Sequence, residues 1–262
     1  MGLYRNSIFQ GGWFSFNSTK ENWNKISKEM YDYFFGSIMF DEIFGVSKTT
    51  EELFIKTDQN FDFIKDKSVL VVGGGPSSKS LTSEIIESYD LVFSCNHFFK
   101  NELLKKHKVS LALIGDEINF SDKEFIEYLN QYNTILGFEH SSKRSTINLI
   151  SLKENYPFCF IYLTRYFSRL GYAPRACILA KLFGAKKVDF IGIDGFKDKN
   201  TFHYFEKDKA PPPFNNNEKF KEQMRIFCEY MLKDLKIEPQ NFNDLSSNNL
   251  YEGILEDVKS KL

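Results

Sequence analysis

Eleven residues constrain this chain more than any others: Ser68-Val69-Leu70-Val71-Val72-Gly73-Gly74-Gly75-Pro76-Ser77-Ser78. The apolar run, with its three β-branched valines, predicts a buried strand. Three glycines then remove every Cβ where the chain must turn. Pro76, Ser77 and Ser78 suit the first turn of a helix, expected over residues 77–88. Strand, glycine turn and helix N-terminus together predict a phosphate cradle, with backbone N–H groups and the positive end of the helix dipole converging on one point. The stretch matches neither the dinucleotide fingerprint nor the Walker loop, which ends in Lys followed by Ser or Thr. A tight strand–helix turn with no ligand is the alternative reading.

Downstream, apolar runs and amphipathic segments alternate. Strands are expected at residues 90–96, 111–116, 134–138, 158–163 and 188–194, with helices at 103–108, 122–131 and 174–183, the last ended by Gly184. Strands at this spacing imply right-handed βαβ units and a mostly parallel, Rossmann-like α/β sheet flanked by helices. Residues 1–66 differ in character. Trp13, Phe14, Phe16, Trp23, Tyr31, Phe34 and Phe40 make them aromatic-rich, and Thr49-Thr50-Glu51-Glu52 reads as a helix start. They are expected to form a helical N-terminal extension on a catalytic domain of residues 67–262. A polar loop at 197–217 has the length of a lid.

Three predicted strands end in a polar residue: Asn96, Asp116 and Asp194. Ligands of open parallel sheets bind beyond the carboxyl ends of the strands. The glycine turn and these three residues should therefore line one edge.

Composition narrows the partners. A formal net charge of -1 gives no electrostatic case for nucleic acid. Aromatics at 16%, including 28 Phe, accompany abundant Ile, Lys and Asn and read as codon bias. Cys95, Cys159, Cys177 and Cys228 form no CxxC pair, and three sit in apolar contexts, as buried free thiols of a reducing cytoplasm do. No segment has the character of a signal peptide or the length of a membrane span. A cytoplasmic protein is expected, with peripheral attachment to the inner face of the membrane and homo-oligomerisation both compatible with the aromatic segment.

Val72-Gly73-Gly74-Gly75-Pro76-Ser77, Cys95-Asn96 followed by aromatics, and Gly192-Ile193-Asp194 resemble motifs of the bacterial sialyltransferases of glycosyltransferase family 42. The related motility accessory factor proteins with an MptE-like fold (domain of unknown function 115) share much of this. Leu182-Phe183-Gly184-Ala185 at a helix end, and Thr201-Phe202-His203 after the last strand, fit the same pattern. The resemblance spans about residues 68 to 250 and implies a GT-A-like nucleotide-binding domain. It implies that Gly73, Gly74, Gly75, Pro76, Ser77, Asn96, Asp116 and Asp194 surround a CMP-sugar donor. Arg169 matches a family arginine, and Tyr172 stands within the step that follows it, Gly171-Tyr172-Ala173, where the family has Thr-Ser-Gly. His203-Tyr204 matches a pair whose histidine is the proposed general base. Phe196 replaces an expected tyrosine, and the stretch from Asp194 to His203 is shorter than in the sialyltransferases.

Transfer from such a donor needs a cradle for the departing phosphate, a base for the acceptor hydroxyl and exclusion of water. His203 is the expected base, since imidazole titrates near neutrality, and His97 is the second choice. Arg169, Arg175, Tyr172 and Tyr204 are candidate phosphate donors. The implied activity is metal-independent, inverting transfer of a sialic-acid-like (nonulosonate) sugar to a glycan acceptor, with no cofactor. Two alternatives stand beside it. One is an MptE-like 6-hydroxymethylpterin diphosphokinase, whose ATP chemistry would make Asp116 and Asp194 magnesium ligands. The other is a non-catalytic nucleotide- or partner-binding protein.

Overall fold

Every apolar run read as a strand downstream of residue 67 is a strand, and these strands lie side by side. The computed structural model describes residues 44–49, 53–115, 118–139, 151–164, 172–193, 228–229, 236–237 and 256–261. Strands β1 (Val46–Thr49), β2 (Leu53–Thr57), β3 (Ser68–Val72), β4 (Leu91–Cys95), β5 (Leu111–Ile114), β6 (Ile135–Glu139), β7 (Cys159–Thr164) and β8 (Lys187–Ile191) form one sheet in the order β1-β2-β7-β6-β5-β4-β3-β8. From β7 to β8 all neighbours are parallel. The fold is thus Rossmann-like α/β. Val69 to Val72 have no exposed surface, as expected of a parallel strand covered on both faces.

Helices among the described residues include α1 (Ser83–Glu87), α2 (Lys123–Tyr132) and α3 (Tyr172–Leu182). Asp122 caps α2 by accepting the Glu124 N–H at 3.0 Å, and Asn133 ends it in the left-handed conformation, φ +52°. Its Phe125, Tyr128 and Leu129 turn inward. Helix α3 is different: Ala173 to Ala180 are all buried, so it is enclosed all round rather than amphipathic. It packs against β3, β4, β5 and β8. The side of the sheet it covers is the one bearing Gly73 and Gly115, whose absent Cβ atoms leave room for Ala173 and Tyr172. Phe120, just before α2, meets Phe138, whose side chain points the other way from Gly137 and Glu139. The chain therefore steps from β3 to β7, then crosses the opposite face through α3 to set β8 beside β3. That reversal is the topological switch point.

Two expectations fail. Thr49 and Leu53 to Ile55 lie in strands, not in a helix: β1 and β2 pair in antiparallel register, and β2 adds to β7 antiparallel, Ile55 opposite Tyr162. The Thr-Thr-Glu-Glu stretch favours a cap locally, but the buried Leu53 and Ile55 alternate and dock on a sheet edge. The helix expected over 77–88 is broken in two. Pro76–Ser80 is a 3-10 turn, Leu81 is extended and buried, and Thr82 then caps α1 through the Ile85 N–H. Residues 1–43 and the loop at 197–217 lie outside the described residues.

Gly73 and Gly192 touch through their backbones where β3 and β8 end. A methyl on Gly73 would fall 2.4 Å from the Gly192 carbonyl oxygen, and one on Gly192 would fall 2.2 Å from that of Gly73. Gly192 also has φ +76°. Gly184 has φ +93°, but a methyl there would meet nothing nearer than the Lys65 side chain at 3.4 Å. Gly192→Ala should therefore cost about 3 kcal/mol of stability and Gly184→Ala about 1 kcal/mol. Urea denaturation midpoints measure both, and equal losses would contradict the contact.

Candidate functional site

The glycine turn forms one wall of the carboxyl edge at the switch point, and most of its polar groups are spent building that wall. The Gly73 N–H donates to the Ile191 carbonyl at 2.8 Å and the Gly75 N–H to the Gly192 carbonyl at 2.9 Å. The buried Ser77 hydroxyl accepts the Gly192 N–H at 2.8 Å. Ser78 closes the turn, its N–H and hydroxyl both donating to the Gly75 carbonyl. Pro76 has no N–H to offer. Half-buried Gly74 is left with no backbone hydrogen bond from its N–H among the described residues. The following 3-10 turn has five residues, so no α-helix dipole stands behind the loop as the residues 77–88 reading required.

Asn96 makes the next part of the edge. It sits one residue beyond β4 with φ +46°, a conformation asparagine tolerates better than most residues. Its N–H donates to the Leu113 carbonyl, and its side-chain oxygen accepts the Gly115 N–H, both at 2.9 Å. It thereby ties the ends of β4 and β5 together. His97 beside it is buried, 8% exposed.

Gly115 carries no side chain, and Tyr172 from α3 occupies the space: a methyl on Gly115 would lie 2.6 Å from the tyrosine hydroxyl. The Arg175 guanidinium, one turn on along α3, stands 4.3 Å from the centre of the Tyr172 ring. Arg175 is itself ion-paired with Glu139, the last residue of β6, and both side chains are 2% exposed. Glu139 faces Tyr162 across the β6–β7 ladder. Among the described residues, the second Glu139 oxygen and the Tyr162 hydroxyl are buried with no hydrogen-bond partner. Burial lifts the Glu139 carboxyl to about 7, because Arg175 engages only one of its two oxygens and offsets the desolvation in part. Burial likewise pushes the Tyr162 hydroxyl well up.

The structure thus gathers Gly73, Gly74, Gly75, Pro76, Ser77, Asn96 and Tyr172 along the carboxyl edge. Asp116, Arg169, Asp194, His203 and Tyr204 lie outside the described residues. Glu139 and Tyr162 were not foreseen; a lone carboxylate closing an apolar run was the available signal. Among the described residues no three His, Cys, Asp or Glu side chains gather as a metal site requires. A cavity of about 410 Å³ between α2 and residues 151–155, lined by Phe120, Phe125, Leu129, Leu152 and Tyr156, contains none of the predicted site residues.

No protein-family model matches the chain, and no curated protein is similar to it in sequence. Solved structures are similar in fold. The sialyltransferase CstII from Campylobacter jejuni, in complex with the substrate analogue CMP-3FNeuAc, superposes with a TM-score of 0.50 at 18% identity, over 72% of this chain and 85% of that one. A mammalian sialyltransferase gives a TM-score of 0.45 at 14% identity, over 66% of this chain and 68% of that one. The fold is therefore α/β of the GT-A-like kind that the first of these adopts.

A carboxyl whose folded-state pKa is raised from 4.5 to about 7 holds a proton that the unfolded chain has already released. Its contribution to stability is complete below about pH 4.5 and is lost as pH rises towards 7. The melting temperature of Glu139→Gln should therefore fall less than that of the wild type across this window. A parallel pair of curves would show that Glu139 does not titrate there.

Proposed function

We propose that this chain is a glycosyltransferase that moves a sialic-acid-like sugar from a CMP-sugar donor to a glycan acceptor. The observation that carries the proposal is the convergence of the glycine wall, Asn96 and Tyr172 on one carboxyl edge at the switch point, in a chain whose motifs resemble family 42. The related MptE-like proteins are the second branch of that relationship. In this reading the cytidine nucleotide lies against Gly73 to Ser77, Asn96 and Asp116, with Asp194, three positions beyond β8, taking part as well. The acceptor hydroxyl attacks the anomeric carbon as the bond to the CMP oxygen breaks, inverting the configuration. His203 takes the hydroxyl proton, and Arg169, Tyr172 and Tyr204 donate to the phosphate as negative charge develops on it. The residues supply the base and the charge stabilisation, so the reaction proceeds without a metal.

Among the described residues no helix is long and apolar enough to cross a membrane. Work in the cytoplasm, at the inner face of the membrane where surface glycans are assembled, is part of the proposal.

CMP should raise the melting temperature with or without magnesium. His203→Ala should abolish sugar transfer while leaving that shift intact. Stabilisation by ATP only with magnesium would replace the transferase with the diphosphokinase, and unchanged turnover in His203→Ala would remove this histidine from the mechanism.

A further inference from the structure

We infer that the buried Glu139–Arg175 ion pair is a positioning device that holds the Tyr172 ring against Gly115, where the ring meets the donor nucleotide. The ligand half of this inference rests on the CMP-sugar reading; the positioning half rests on geometry alone.

Three connected contacts make the device. Glu139 ends β6 and grips Arg175, which lies one turn along α3. Arg175 and Tyr172 are three residues apart on that helix and therefore share a face, with the guanidinium 4.3 Å from the ring centre. The ring then ends with its hydroxyl over Gly115, at a strand terminus that offers no side chain of its own. A planar guanidinium meets the ring and the carboxylate with N–H groups held in a fixed fork, a geometry that the point charge of an ammonium does not reproduce.

Stability does not explain the pair. Both side chains are withdrawn from water, and among the described residues one carboxylate oxygen and the Tyr162 hydroxyl facing it across the ladder have no hydrogen-bond partner. Two apolar residues of similar volume would fill the same space without those losses. The pair instead sits at the end of the sheet where parallel folds bind ligands, and it fixes the one aromatic ring that α3 presents to β5. Glu139 and Arg175 are positioning residues, acting through Tyr172.

Incorporation of 3-fluorotyrosine gives a readout of the ring itself, with the Tyr172 resonance assigned by its loss in Tyr172→Phe. Two variants are compared with wild type: Glu139→Leu with Arg175→Met, which replaces the pair by apolar residues, and Arg175→Lys, which keeps the charge but not the planar guanidinium fork. In both, the Tyr172 resonance should move towards that of a solvent-averaged tyrosine while the protein melts close to wild type. CMP affinity should fall about tenfold, as in Tyr172→Ala. If the double variant does not fold, Arg175→Lys alone decides. An unmoved resonance overturns the positioning role whether or not nucleotide binds. A moved resonance with unchanged CMP affinity overturns the link to the donor. A wild-type protein that ignores CMP removes the donor reading and leaves the fluorine result to judge the device.

Discussion

The backbone contact between Gly73 and Gly192 joins two strand ends 119 positions apart in sequence and allows β8 to lie against β3. Two N–H groups and one serine hydroxyl then stitch the glycine turn to the end of β8. Any side chain at either glycine would wedge the strands apart just where the sheet order reverses. The consequence is a closed wall rather than an open cradle. The triple glycine serves strand packing first, and what it offers a ligand is a smooth backbone surface with few uncommitted donors.

The two edges of the parallel sheet handle polar groups differently. At the amino edge they are paired. Asp90 accepts both the N–H and the hydroxyl of Ser68, and these bonds hold its carboxyl below the usual range. The Tyr128 hydroxyl donates to the His107 carbonyl and accepts the Val109 N–H, while Thr134 donates to Val109 and Tyr156 to Thr134. At the carboxyl edge Ser77 and Asn96 are bonded too, but among the described residues one Glu139 oxygen and the Tyr162 hydroxyl are buried with no partner. Leaving such atoms bare costs about 1–3 kcal/mol each.

The parallel sheet was legible because each buried strand is an apolar run bounded by turn residues, and the caps Asp122 and Gly184 announce their helix ends. The hairpin of β1 and β2 was not. Its Thr-Thr-Glu-Glu link favours a helix locally, and only docking on β7, about a hundred residues away, decides otherwise. Leu81 broke the expected helix because its side chain is buried in an extended conformation, which no local preference reveals. The site was legible where backbone conformation marks it, at Gly73 and Asn96. Glu139 falls just outside the strand expected over 134–138, and its partner is 36 positions further on, on a different element.

Fold likeness at 18% identity places the sheet, not the chemistry, so the discriminating evidence lies in side chains particular to this chain. Position 115 is where they meet. Gly115 brings no side chain to its strand end, and the space is taken by a ring from α3. The attitude of that ring is set by an arginine of the same helix, and the arginine by a carboxylate of β6. Helix α3 is buried on all sides, so it cannot slide to accommodate a change at any of these points without disturbing β3, β4, β5 and β8 together. Rigidity of the crossover helix is thereby turned into rigidity at the rim of the carboxyl edge.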